Sequence, residues 1–142
     1  MTTKILVVDD ETYVRDLLTR VLARRGHDVD TAADGESALE RMSERHYDLV
    51  LTDVVMPGID GFDLLRRVKA NYPGVTVIVL TGYARKQSIS DFMLYGADEY
   101  LSKPFQVQAL LDSVDRVVGR GPSPADPAPP ADAAPPRTGI DA

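Results

Sequence analysis

The strongest constraint on this chain's fold is a set of three uninterrupted apolar runs, Ile5-Leu6-Val7-Val8, Leu49-Val50-Leu51 and Val77-Ile78-Val79-Leu80. A strand that is apolar at every position has no face to give to water, so it belongs inside a parallel sheet covered on both sides. Residues 28–31 and 99–101 are more polar and predict strands at the sheet edges. Between the strands the period changes to that of a helix. Val14, Leu17, Leu18, Val21 and Leu22 form one apolar stripe, and Leu110, Leu111, Val114, Val117 and Val118 form another. Residues 36–45, 60–70 and 86–95 predict weaker helices. Gly26, Gly74 and Gly96 follow helical stretches, where a left-handed cap is expected.

The alternation is (βα)5, an α/β layer architecture. Three apolar strands inside and two polar strands outside fit the order 2-1-3-4-5, the flavodoxin-like doubly wound sheet. In that order the direction of winding reverses between strands 1 and 3, and ligands bind at the carboxyl ends beside such a reversal.

The 142 residues suit one domain. We place it at residues 1–119. Residues 120–142 hold seven of the ten prolines and few large apolar side chains, so a disordered or extended tail is expected there. A formal net charge of −6 makes direct binding to nucleic acid an unfavourable reading. No apolar stretch approaches the length of a spanning helix, and no leader is visible before Asp9-Asp10. The absence of cysteine excludes disulfides and thiolate metal sites and fits a cytoplasmic location.

The residues after each strand carry the chemistry. Strand 1 is followed by Asp9-Asp10-Glu11, strand 3 ends in Thr52-Asp53, strand 4 in Thr81-Gly82 and strand 5 in Ser102-Lys103-Pro104. The predicted order brings these onto one rim. Clustered carboxylates repel one another, and a hard divalent cation such as Mg²⁺, which prefers oxygen ligands, relieves that repulsion. A carboxylate can also act as a nucleophile toward phosphorus. Asp53 holds the central place for that role. Lys103 offers a compact positive charge and Thr81 a hydroxyl, both suited to phosphoryl oxygens.

The segments Val7-Val8-Asp9-Asp10-Glu11, Leu51-Thr52-Asp53-Val54-Val55-Met56-Pro57-Gly58-Ile59-Asp60-Gly61, Leu80-Thr81-Gly82 and Ala97-Asp98-Glu99-Tyr100-Leu101-Ser102-Lys103-Pro104-Phe105 together resemble the receiver domains of bacterial two-component response regulators. The resemblance spans residues 4–118 and includes single-domain, chemotaxis-regulator-like members. It implies that Asp53 accepts a phosphoryl group from a histidine kinase or a histidine phosphotransfer protein, with Mg²⁺ required. It also implies that Asp9, Asp10, Asp53 and the main-chain carbonyl of Val55 hold the metal. Thr81 and Lys103 would bind the phosphoryl group, and Thr81 and Tyr100 would form a switch that reshapes a partner-binding face over residues 86–119. A cis peptide at Lys103-Pro104 is implied as well. Val55 and Tyr83 occupy places where the family varies, so the phosphoryl lifetime is open.

Plainer readings exist for the same residues. Asp10 or Glu11 could cap the first helix, Thr81 could serve a turn, Lys103 could be a solvated cation, and Tyr100 could cover the edge strand. His27 and His46 read as surface histidines, and Arg85-Lys86 as a solvated helix start. Two rival activities fit less well. An aspartyl-phosphate phosphatase of the haloacid dehalogenase type needs a second Asp two residues after the nucleophile, where Val55 stands. A flavodoxin needs a hydroxyl- and glycine-rich phosphate loop after strand 1, where Asp9-Asp10-Glu11 would repel phosphate. A P-loop is absent too.

Overall fold

The first apolar run forms β1 (Lys4–Val8), the second β3 (Leu49–Asp53) and the third β4 (Thr76–Thr81); the two polar segments form β2 (Asp28–Ala32) and β5 (Glu99–Ser102). The computed structural model describes residues 3–53, 61–81 and 93–119. All five strands are parallel, in the order β2-β1-β3-β4-β5, so the polar strands are the edges. The described helices are α1 (Thr12–Arg24), α2 (Gly35–Glu44), α3 (Gly61–Asn71) and α4 (Val107–Gly119). Of the helix expected at 86–95, residues 93–94 are helical, and 86–92 lie outside the described residues, as does the 120–142 tail.

The continuous apolar runs have their cause in two separate cores. Ile5, Val7, Leu49, Leu51, Ile78 and Leu80 pack with Leu18 and Leu22 of α1 and Leu110, Val114 and Val117 of α4. The alternate residues Leu6, Val8, Val50, Val77 and Val79 pack on the other face with Ala38 and Met42 of α2 and Leu64, Leu65 and Val68 of α3. Successive strand residues point to opposite faces, so every position is buried by one layer or the other. Each such leucine contributes about 1.5–3 kcal/mol by leaving water. Truncating Leu18 to alanine would remove about 2–5 kcal/mol, since a cavity adds to the lost transfer energy.

Local turns set the strand ends. Gly26 (φ 88°) and Gly96 (φ 107°) adopt the left-handed conformation that glycine reaches without a Cβ penalty. Gly74 does not, contrary to the sequence expectation. The chain leaves α3 through a turn with Pro73 at its second position, closed by the Val75 N–H donating to the Tyr72 carbonyl at 3.0 Å, and such a turn needs no left-handed residue there. His46 is exposed, with Nε2 3.3 Å from Asp48. His27 is half-buried rather than a plain surface residue, and burial lowers its pKa.

Candidate functional site

The sheet register assembles the site. Val8 pairs with Thr52, so Asp9, one residue past β1, comes beside Asp53, the last residue of β3. The Asp9 N–H continues the ladder for one step, donating to the Ala32 carbonyl at 3.2 Å. Thr81 pairs with Ser102 at the end of β4 and β5, which brings Lys103 to the same rim.

The result is a trio of carboxylates. Asp9, Asp10 and Asp53 each present an oxygen within 4.8 Å of the others. Asp9 is fully buried (0% exposed) and Asp53 nearly so (8%), whereas Asp10 is exposed. Lys103 Nζ lies between the two buried acids, 2.8 Å from Asp9 Oδ2 and 3.2 Å from Asp53 Oδ2. Burial works against the lysine's charge, but the Asp9 hydrogen bond and the Asp53 charge outweigh it and raise the pKa. One ammonium against three carboxylates leaves two negative charges at the rim. Hard oxygen donors with this charge and spacing fit a divalent cation of the Mg²⁺ type, which also keeps water ligands on its open side.

Neither Asp10 nor Glu11 caps α1. Glu11 stands at the cap position without a side-chain hydrogen bond. Instead Asp9 Oδ1 accepts from the Glu11 N–H at 2.9 Å. A further participant had no sequence signal. Arg15, in the first turn of α1, donates from Nη1 to the Asp9 carbonyl at 2.6 Å and from Nη2 to Thr12 Oγ1 at 3.1 Å. A helical arginine turned back onto a main-chain oxygen reads, in sequence, as an ordinary exposed cation.

The structure thus brings together Asp9, Asp10, Asp53 and Lys103. Thr81 ends β4 at the same rim. Tyr100 lies on β5, paired with Val79 and 39% exposed. Val55 lies outside the described residues. The Lys103-Pro104 peptide is cis, as the family resemblance implies. The arrangement can hold a cation against one face of Asp53 while an ammonium faces the other oxygen, which suits chemistry at a phosphoryl group.

Residues 5–115 match the response regulator receiver domain family. Among curated proteins, the chain is similar to the transcriptional regulatory protein TcrA of Mycobacterium tuberculosis, 39% identical over 87% of this chain and 49% of that protein. It is also 35% identical to sporulation initiation phosphotransferase F of Bacillus subtilis, over 82% of this chain and 94% of that one. The chain spans about half the length of several of the regulators it matches. Among solved structures, the chemotaxis protein CheY4 of Vibrio cholerae superposes with TM-score 0.79 at 31% identity, over 82% of this chain and 99% of that one. The response regulator TrrA of Thermotoga maritima, solved in complex with Mg²⁺-BeF, superposes with TM-score 0.75 at 37% identity, again over 82% and 99%.

Proposed function

The chain belongs to the response regulator receiver family, and from that premise we propose that Asp53 is its phosphoacceptor, served by Asp9, Asp10, Lys103 and Thr81. The observation that carries this reading is the position of Asp53, at the end of β3 and within 4.8 Å of two further carboxylates, with an ammonium at 3.2 Å.

In the proposed reaction a carboxylate oxygen of Asp53 attacks phosphorus. The bond from phosphorus to the donor breaks, at the imidazole nitrogen of a phosphohistidine or the acyl oxygen of acetyl phosphate, and an aspartyl phosphate forms. Asp9, Asp10, Asp53 and the Val55 carbonyl would hold Mg²⁺. When bound, the ion neutralises the acids and the phosphoryl oxygens. Lys103 already stands on Asp53 Oδ2 and can follow the charge onto a phosphoryl oxygen, and the Thr81 hydroxyl would take another.

The donor is a histidine kinase or a histidine phosphotransfer protein. The output is a change in the face formed by residues 86–119 around Tyr100, read by a downstream protein rather than by nucleic acid, given the net charge of −6. None of the described helices is long and apolar enough to cross a membrane, and we place the reaction in the cytoplasm. The test is incubation with acetyl phosphate and Mg²⁺ followed by intact mass. One added phosphoryl group is expected, and Asp53→Asn should lose nearly all of it. Undiminished labelling of that variant would overturn the assignment.

A further inference from the structure

Among the trio of acids, Asp9 and Asp53 are held by Lys103, whereas the Asp10 side chain is exposed and has no hydrogen-bond partner among the described residues. What the fold controls is therefore the stretch of main chain from which it projects. Two peptide groups flank that backbone, and each is fixed by a side chain. The Asp9–Asp10 peptide is held at its carbonyl by Arg15 Nη1 at 2.6 Å. The Asp10–Glu11 peptide is held at its N–H by Asp9 Oδ1 at 2.9 Å. Arg15 is itself steadied by Thr12 Oγ1 at 3.1 Å and by its place in the first turn of α1. With both planes fixed, the main chain carries Asp10 where its carboxylate stands within 4.8 Å of oxygens of Asp9 and Asp53 before any ion arrives.

Resting on the metal reading above, we infer that Arg15 is a positioning residue for the cation site, acting through Asp10. The guanidinium never needs to touch the ion. It restrains the main chain that carries the one carboxylate of the trio with no partner of its own among the described residues, and so lowers the ordering cost of binding. Supporting groups of this kind typically change metal affinity by about 10–100-fold. A purely electrostatic role has the opposite sign. A nearby positive charge repels Mg²⁺, so removing that charge alone would tighten binding.

The experiment is calorimetric titration of the full chain with Mg²⁺, with no phosphodonor present, using Arg15→Met, Asp10→Asn and the double variant. Arg15→Met should weaken binding about tenfold, and Asp10→Asn should weaken it as well. In the Asp10→Asn background the further Arg15→Met change should cost little, because the carboxylate being positioned is gone. Arg15→Lys, which keeps the charge and loses the fork, should also weaken binding and serves where Arg15→Met fails to fold. Unchanged or tighter binding by both Arg15 variants would overturn the inference, as would an equal loss with and without Asp10. Full-strength binding by Asp10→Asn would overturn the metal reading itself, and this inference with it.

Discussion

The Lys103 ammonium lies 2.8 Å from Asp9 Oδ2, although 94 positions separate the two residues. Asp9 is fully buried, and a buried carboxylate deprived of its partner is costly. Lys103→Met should therefore destabilise the metal-free protein by about 1.5–3 kcal/mol, the scale of a hydrogen bond to a charged group. The folded lysine's pKa is raised, so its contribution is complete below the unfolded value of about 10.4 and fades as pH rises through the folded value. Denaturant melts of both proteins between pH 7 and 12 check this. The gap should be constant to about pH 10 and close above it.

A second pair is remote from the site and gives a control. Tyr47, 1% exposed, donates its hydroxyl to Asp30 Oδ2 at 2.6 Å. Burial and that acceptor push its pKa up to about 12, and the same bond, ahead of Arg45, lowers that of Asp30. Since an unfolded tyrosine ionises near pH 10, the wild type should lose stability between about pH 10 and 12. Tyr47→Phe should be about 1–2 kcal/mol less stable at neutral pH, show less of that alkaline decline, and accept phosphoryl groups at the wild-type rate.

The acidic trio implies stored repulsion. Asp10→Asn removes one of three carboxylates within 4.8 Å and should raise the metal-free melting temperature by about 2 °C, the equivalent of roughly 0.5 kcal/mol. Added Mg²⁺ should stabilise the wild type, because a ligand that binds only the folded state shifts the equilibrium, and should stabilise Asp10→Asn much less. Melting curves insensitive to both changes would contradict a shared cation site.

The proposed switch between Thr81 and Tyr100 has its own test. Tyr100 is 39% exposed on the edge strand next to β4, and a phosphoryl group adds about −1.5 to −2 charges at the rim where β4 ends. Thr81 turning toward that charge would open space beside β5 for Tyr100 to enter. Beryllofluoride, standing in for the phosphoryl group, should shift amide resonances at the rim and also around Tyr100 and α4. A bias of about 1–3 kcal/mol between the two states is sufficient. Shifts confined to residues around Asp53 would reject the coupling.

The sheet order was legible because burial on two faces forces Ile5–Val8, Leu49–Leu51 and Val77–Leu80 to be apolar throughout, while β2 and β5 carry polar residues at the edges. Asp9, Asp10, Asp53 and Lys103 were legible because strand register carries whatever follows a strand onto one rim. Contacts to main-chain atoms were not. Arg15 on the Asp9 carbonyl and Asp9 on the Glu11 N–H depend on how the loop turns after β1, and a carbonyl looks the same behind every residue type. Gly74 failed for a related reason. Proline before it already turned the chain, so the glycine's extra freedom was not used.

The location of the acyl phosphate is the most direct test of the proposed chemistry. After incubation with acetyl phosphate and Mg²⁺, borohydride reduces an aspartyl phosphate to homoserine, which peptide mass spectrometry then places. Homoserine at position 53 and at no other aspartate is the expected result. Homoserine at Asp9 or Asp10, or an unmodified position 53 in protein that has gained the phosphoryl mass, would contradict it.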